Sequence, residues 1–251
     1  CVKCIKIKKV MIIAGPCAIE SKSQLVNTFQ NIYRHIDIFR AGVWKARTSV
    51  SSYNGYGNSS LQWLTDLQNK YSVPVAIEVG TPKHVELALI HGIKIFWVGA
   101  RTTVNSFYVQ EISESLRGVD AEIWIKNPIY TDINLWYGAI HRMEQVGLKK
   151  IKAIHRGFYD DSSVLYRNNP RWDLLNIFQK ECPDIPIICD PSHIAGKSDL
   201  VSEVCIRAMV ENINSFMIET HVNPASALSD SLQQLKPLEL IELIKKLSNS
   251  A

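Results

Sequence analysis

Short apolar runs alternate with amphipathic stretches along most of this chain. Eight runs have the length and composition of buried strands: residues 11–14, 38–45, 73–79, 95–100, 122–126, 151–155, 185–190 and 216–219. Their apolar residues are continuous rather than alternating, which predicts a parallel sheet covered on both faces. Between two runs, apolar residues at Ile133, Trp136, Tyr137, Ile140 and Met143 follow helical spacing. The pattern therefore predicts repeated strand–helix units.

Boundary residues agree with this pattern. Thr81 followed by Pro82 predicts a helix start, Gly92 and Gly147 fit positions just past helix ends, and Pro237 can open the last helix. Eight such units in 251 residues predict an α/β protein, a (β/α)8 TIM barrel forming a single domain over residues 1–251. We expect residues 1–10 to be an amino-terminal extension and residues 248–251 a frayed tail. A doubly wound sheet is the alternative, but no GxGxxG follows the first run.

Composition narrows the class of protein. The formal charge is only +4, and no basic block with interleaved aromatic residues predicts nucleic-acid binding. The longest apolar run, residues 10–19, is too short to span a membrane, and no signal peptide is visible. Six cysteines in this length predict reduced thiols and a cytoplasmic protein. Cys1-x-x-Cys4 is isolated, so a redox or metal role there is disfavoured.

Every predicted strand end carries an ionisable or metal-binding side chain. In chain order these are Cys17, Lys45 with Arg47, Glu78, Arg101, Lys126, His155 with Arg156, His193, and Glu219 with His221. In a (β/α)8 barrel the carboxyl ends of the strands form the active site. We therefore expect these side chains to converge at one end of the barrel.

The converging residues form two chemical sets. Cys17, His193, Glu219 and the nearby Asp230 mix soft and hard donors, which suits a divalent transition metal. The second set is cationic and predicts small substrates that carry several negative charges; its members are Arg40, Lys45, Arg47, Arg101, Lys126 and Arg156. Two alternatives stay open from the residues alone: Cys17 could be a buried structural thiol, and Asp230 could only cap a helix.

Seven motifs occur in a recognisable order. They are GPCAIES (15–21), RAGVWKARTS (40–49), VGARTT (98–103), IKNP (125–128), IHRGF (154–158), CDPSH (189–193), and MIETH with ALSD (217–230). Together they resemble 3-deoxy-D-arabino-heptulosonate 7-phosphate (DAHP) synthase of type I, in particular the short β subgroup that is sometimes fused to chorismate mutase. The resemblance covers residues 11–247.

The resemblance implies the first step of the shikimate pathway, which leads to chorismate and the aromatic amino acids. Phosphoenolpyruvate, D-erythrose 4-phosphate and water would give DAHP and phosphate, with a divalent metal (Mn²⁺, Fe²⁺, Co²⁺ or Zn²⁺) as cofactor. By motif position the metal ligands would be Cys17, His193, Glu219 and Asp230. Phosphoenolpyruvate would contact Arg40, Lys45, Arg101, Lys126 and Arg156, and erythrose 4-phosphate would contact Arg47, Thr48 and Ser49. Catalytic roles would fall to Lys45, Cys17, His193 and Glu78.

The resemblance also implies partners and rival functions. We expect a homo-oligomer, a dimer or tetramer, and association with a chorismate mutase domain that this chain lacks. The family usually has Pro where Ala46 stands, so a looser sugar site is expected. Close relatives of the short core often have Arg-Gly where Asn127-Pro128 stands. One alternative is 3-deoxy-D-manno-octulosonate 8-phosphate synthase, although Arg47-Thr48 directly after Lys45-Ala46 favours the shorter sugar. Another is a catalytically silent barrel that senses anions or binds a mutase subunit.

Overall fold

Eight parallel strands form the centre of the molecule. The computed structural model describes residues 10–46, 49 and 51–250, and its strands are β1 (Met11–Gly15), β2 (Ile38–Ala41), β3 (Val75–Val79), β4 (Ile95–Val98), β5 (Glu122–Lys126), β6 (Lys150–His155), β7 (Ile187–Cys189) and β8 (Ser215–Glu219). Each strand pairs with the next, and β8 pairs with β1, so the sheet closes. The (β/α)8 TIM barrel is confirmed, and an open doubly wound sheet is excluded.

Helices surround the strands. They are α1 (Lys22–Ile32), α2 (Leu61–Tyr71), α3 (Pro82–Ile90), α4 (Ala100–Thr103), α5 (Ser106–Ser115), α6 (Ile133–Gln145), α7 (Trp172–Glu181), α8 (Pro191–Ala195), α9 (Val201–Val210) and α10 (Pro237–Ser250). Thr81 caps α3 through its side chain, and Gly92 and Gly147 follow α3 and α6 with positive φ, as expected. No helix of the described ranges is long and apolar enough to cross a membrane.

Most predicted strand boundaries differ from the structure by a few residues, and the differences at the ends of β2 and β7 bear on the site. β2 ends at Ala41, so Lys45 lies in the following loop rather than on the strand. β7 ends at Cys189, and Asp190 instead caps α8 by accepting a hydrogen bond from the His193 backbone N–H. The frayed tail was predicted too early, because α10 continues through residues 248–250 and buries Leu247.

Two layers of side chains fill the barrel interior. The first is apolar and consists of Ile13, Ile38, Ala76, Trp97, Trp124, Ile154, Ile188 and Met217. Alternate residues of a strand point to the same face, so the residue two positions further along also points inward. Those second positions are Gly15, Arg40, Glu78, Gly99, Lys126, Arg156, Asp190 and Glu219. Six of them are ionisable, so the strand period itself places a charged layer on an apolar floor.

Candidate active site

The four predicted metal ligands converge above this floor. Ligand atoms of Cys17, Glu219 and Asp230 all lie within 4.8 Å of one another. The Cys17 thiol donates to Asp230 Oδ2 at 3.2 Å, and His193 Nε2 lies 3.8 Å from Glu219 Oε1. We call these four residues the ligand group. They come from the β1–α1 loop, α8, the end of β8 and the β8–α10 loop.

Asp230 does not act as a helix cap. It precedes a single 3₁₀ turn, Ser231–Gln233, but its side chain makes no capping hydrogen bond to that turn. Its φ of 45° is in the left-handed region, which is uncommon for a residue with a side chain. The carboxylate instead accepts from Cys17 and from Arg167 Nη1, the latter at 3.2 Å. The helix-cap alternative is therefore wrong.

Asp190 fixes the orientation of His193. The carboxylate of Asp190 lies 2.8 Å from His193 Nδ1 and 2.7 Å from Lys126 Nζ. Burial lowers the pKa of His193 although Asp190 favours its charged form, so the ring is neutral at neutral pH. A proton on Nδ1 directed at Asp190 leaves Nε2 free, which is the usual arrangement of a histidine that binds a metal.

Cys17 is completely buried and carries its proton in the absence of metal. Burial, together with the carboxylates of Glu219 and Asp230, raises the pKa of this thiol to about 12. Its backbone N–H donates to Gln234 Oε1 at 3.0 Å. The thiol and two carboxylates within 4.8 Å of one another, with the His193 imidazole next to Glu219, fit a divalent transition metal, because such ions take mixed sulfur, nitrogen and oxygen ligands.

Arg40 lies beneath the ligand group. Its guanidinium donates from Nη1 to Glu219 Oε1 at 2.8 Å and from Nη2 to the Cys17 carbonyl at 3.2 Å, and it packs over the Trp97 ring at 4.9 Å. The side chain is fully buried, and its Nε has no hydrogen-bond partner among the described residues. Direct contact of Arg40 with phosphoenolpyruvate stays a prediction.

A cavity rich in cations adjoins the ligand group. It is lined by Lys45, Glu78, Arg101, Lys126, Arg156 and Arg167, with His193 and Asp230 at one side, and we call it the anion cavity. Lys45 Nζ lies 3.9 Å from Glu78 Oε2. Arg101 and Arg156 make no salt bridge with any described carboxylate. With Arg40 included, six cations face the four carboxylates Glu78, Asp190, Glu219 and Asp230, so the site attracts anions.

Arg156 is held in place by Asn127. The Asn127 side-chain oxygen accepts from the Arg156 backbone N–H at 2.7 Å, and its amide group donates to the Gly157 carbonyl at 2.8 Å. Burial lowers the pKa of Arg156 to about 10, Asp190 opposes this, and nearby Arg167 and Arg101 add to it. The guanidinium is nevertheless charged at neutral pH. The departure at residue 127 therefore contributes a hydrogen-bonding role of its own.

Some predicted residues are not brought to the site. Ser49 is exposed, with its Oγ 2.8 Å from Ser51 Oγ, while Arg47, Thr48, Cys1 and Cys4 lie outside the described residues. His155 was expected at the strand end with Arg156, but adjacent strand residues face opposite sides. Its ring packs among the helices near Phe158 and Trp172, and burial lowers its pKa to about 3. His221 Nε2 lies 3.4 Å from Glu20 rather than in the cavity.

Sequence reasoning missed four polar residues of the site: Asp190, Arg167, Gln233 and Gln234. The period of two along β7 could have found Asp190, because it follows the inward-facing Ile188 by two residues. Arg167 lies in the long loop between β6 and α7, where no periodicity applies. The two glutamines carry no charge, so no charge pattern marks them. The four described cysteines are free thiols, as predicted.

A closed (β/α)8 barrel with a metal-ligand group beside a cationic cavity at its carboxyl end defines an enzyme that acts on small anionic substrates. The chain belongs to the DAHP synthetase I family, whose model matches residues 6–251. It is thereby a transferase of aromatic biosynthesis that forms a carbon–carbon bond by an aldol-type condensation.

Individual relatives agree with this assignment. The chain is 28% identical over 247 residues to a phospho-2-dehydro-3-deoxyheptonate aldolase of Thermotoga maritima, covering 95% of this chain and 70% of that protein. A crystal structure of the phospho-2-dehydro-3-deoxyheptonate aldolase (DAHP synthase) from that organism superposes with a TM-score of 0.85 at 25% identity, covering 97% of this chain and 69% of that one. A 2-dehydro-3-deoxyphosphooctonate aldolase of Fusobacterium nucleatum is 25% identical, covering 95% of this chain and 89% of that protein.

Proposed function

We propose that this enzyme condenses phosphoenolpyruvate with D-erythrose 4-phosphate and water to give DAHP and inorganic phosphate, in a reaction that depends on a divalent metal. The observation that carries the proposal is the juxtaposition of the ligand group with the anion cavity: His193 and Asp230 belong to the first and line the second. Family membership supports the same reaction.

The cations of the cavity have the charge that phosphoenolpyruvate requires. This substrate carries a phosphate and a carboxylate, and Arg101 and Arg156 offer guanidinium groups without a carboxylate partner among the described residues, which can bind such anions in bidentate fashion. Lys126 forms a salt bridge with Asp190 and also lines the cavity. Arg40 supports the site from below. Arg47 and Thr48 would contact the sugar phosphate, whereas Ser49 is exposed and does not line the cavity.

Cys17, His193, Glu219 and Asp230 would hold the metal. A divalent ion bound there supplies a Lewis acid for the aldehyde oxygen of the sugar. Lys45 would donate a proton to that oxygen as the new carbon–carbon bond forms. Burial disfavours its charged form, but nearby negative charges, including the carboxylates of Glu78 and Glu219, outweigh this and raise the pKa of Lys45, so it is protonated at neutral pH. Glu78, which lines the cavity, would take a proton from the water that attacks the phosphate-bearing carbon before phosphate leaves.

An assay of phosphate release tests the reaction. Metal-free protein is mixed with phosphoenolpyruvate and erythrose 4-phosphate, with Mn²⁺ or with EDTA, and the organic product is identified by mass spectrometry. We expect release only with Mn²⁺ and a seven-carbon product. Absence of release with Mn²⁺ would contradict the proposal and leave the silent anion-binding barrel. Equal release with EDTA would remove the metal from the mechanism.

The octulosonate reaction is the second candidate, because relatives with that activity in their names are 23–26% identical to this chain. The two candidates share phosphoenolpyruvate and differ in the sugar. The same assay with arabinose 5-phosphate separates them: faster release with arabinose 5-phosphate than with erythrose 4-phosphate would favour the octulosonate reaction.

The proposal extends to assembly and location. We expect a dimer or tetramer and association with a chorismate mutase domain on the basis of the resemblance, and a cytoplasmic protein on the basis of the cysteine content. Light scattering of the purified chain measures the first of these, and a monomer at micromolar concentration would contradict it.

A further inference from the structure

Two side chains without an assigned role connect two of the proposed metal ligands. Gln233 Nε2 donates to Glu219 Oε2 at 2.7 Å, and Gln233 Oε1 accepts from Arg167 Nη1 at 2.6 Å. The same Nη1 donates to Asp230 Oδ1 at 3.2 Å. The carboxylates of Glu219 and Asp230 are therefore joined by a continuous hydrogen-bonded bridge through Gln233 and Arg167.

The bridge is anchored in the fold at both ends. Gln233 is only 1% exposed and lies in the 3₁₀ turn that directly follows Asp230. Arg167 lies in the β6–α7 loop, whose backbone donates to the Ala195 carbonyl, and its neighbour Asn168 donates to the His193 carbonyl at 2.6 Å. The loop that carries Arg167 is thus docked on α8, the helix that carries His193.

The bridge engages one oxygen of each carboxylate and directs the other oxygen toward Cys17 and His193. Asp230 Oδ1 and Glu219 Oε2 are engaged by the bridge. On the other side, Asp230 Oδ2 accepts from the Cys17 thiol, and Glu219 Oε1 accepts from Arg40 Nη1 and lies 3.8 Å from His193 Nε2. Two carboxylates this close repel each other, and Asp230 holds a left-handed backbone conformation on a loop. The bridge gives each carboxylate a donor on its outer oxygen and so opposes their separation.

We propose that Arg167 and Gln233 are positioning residues that hold Glu219 and Asp230 in place for the divalent cation. This inference rests on the metal site proposed above. Residues hydrogen-bonded to metal ligands orient those ligands, and their loss weakens metal binding about 10- to 100-fold in well-studied metalloproteins. Arg167 is 40% exposed on its side chain, so it can be replaced with less risk to folding than Gln233.

The test measures Co²⁺ binding to metal-free protein by absorption, without substrates or turnover. We expect Arg167→Met and Gln233→Leu each to weaken Co²⁺ binding about 10- to 100-fold. The double variant should be no weaker than the weaker single variant, because either substitution already breaks the bridge. Arg167→Lys keeps the charge near Asp230 and should recover part of the affinity. Arg171→Met, which removes an exposed arginine paired with Asp173 outside the site, is the matched control.

The outcomes separate this inference from the proposed function. If wild-type protein binds no Co²⁺, the metal site itself fails. If wild-type binds Co²⁺ and both single variants bind it equally well, the bridge has no positioning role. A raised KM for phosphoenolpyruvate in Arg167→Met with unchanged Co²⁺ affinity would make Arg167 a substrate contact instead. Additive losses of Co²⁺ affinity in the double variant would also contradict the bridge. Thermal unfolding of each metal-free variant verifies that the variant is folded. If Gln233→Leu does not fold, the comparison of Arg167→Met with wild type decides the question.

Discussion

The two halves of the site, the ligand group and the anion cavity, differ in the partners that their charged side chains have. In the ligand group each carboxylate already has partners: Glu219 accepts from Arg40 and Gln233, and Asp230 accepts from Cys17 and Arg167. In the anion cavity, Arg101 and Arg156 have no carboxylate partner among the described residues, and Arg156 is buried.

This difference indicates separate tasks. Buried carboxylates with fixed outer hydrogen bonds present their remaining oxygens in a defined arrangement, which a cation can use at little reorganisation cost. A buried guanidinium without a carboxylate is stabilised only when an anion arrives. We therefore expect substitutions in the ligand group to affect metal binding and substitutions in the anion cavity to affect phosphoenolpyruvate binding. Each kind of substitution should have little effect on the binding of the other ligand.

Removal of the thiol should have the largest effect. Cys17→Ala should lower metal-dependent turnover about 10⁴-fold, because a bound metal contributes several kcal/mol to stabilising the transition state. Phosphate release measures this, and circular dichroism should show a folded barrel. Cys182→Ala, a half-buried thiol at the end of α7, is the control. Oxidation of Cys17 should mimic the loss. Turnover above a tenth of wild type in Cys17→Ala would remove this thiol from the ligand group.

Lys45 lies between the two halves, so its replacement tests where they meet. Lys45→Met keeps the length of the side chain but removes the proton donor, and kcat should fall about 10³-fold. Steady-state kinetics at saturating substrates measure it. Lys150→Met, at the opposite end of the barrel and paired with Asp120, should leave kcat unchanged. A Lys45→Met enzyme with near-wild-type kcat would exclude Lys45 from the mechanism.

Loss of one cavity guanidinium should affect only substrate binding. Arg101→Ala should lower kcat/KM for phosphoenolpyruvate about 100-fold, which corresponds to about 2.7 kcal/mol, and should leave Co²⁺ affinity unchanged. Arg117→Ala, an exposed arginine paired with Glu114 beyond α5, is the matched control. A comparable loss of Co²⁺ affinity in Arg101→Ala would show that the halves are not separate.

The protonation of Cys17 makes metal affinity depend on pH. The thiol has a pKa of about 12 without metal and must lose its proton to bind one, so a higher pH favours binding. Between about pH 7 and 9 the apparent association constant for Mn²⁺ should rise about tenfold per pH unit. Titration calorimetry in two buffers of different ionisation enthalpy should show release of about one proton per metal. A constant affinity over this range would exclude binding through the thiolate.

Much of this arrangement could be predicted from the sequence, because it follows from the strand period. Continuous apolar runs predict a parallel barrel, and a barrel brings every strand end to one rim, which is why Cys17, His193 and Glu219 could be grouped although they are far apart in sequence. Asp230 was grouped with them as a nearby carboxylate, and its contacts agree with that grouping.

The remaining features depend on loop geometry that no periodicity encodes. Arg167 reaches Asp230 across 63 residues because the β6–α7 loop docks on α8, and nothing local to Arg167 signals that contact. His155 was misplaced because it was grouped with Arg156, whereas neighbouring strand residues face opposite sides. The role of Gln233 depends on the turn that follows the left-handed Asp230.

The most direct test of the division between the two halves is titration calorimetry of phosphoenolpyruvate into metal-free protein, wild-type and Cys17→Ala, in the presence of EDTA. We expect one binding event per chain in both proteins, with dissociation constants that agree within about twofold, because the cavity cations do not depend on the metal for their charge or position. Absence of phosphoenolpyruvate binding until a divalent metal is restored would contradict the division of the site into two independent halves.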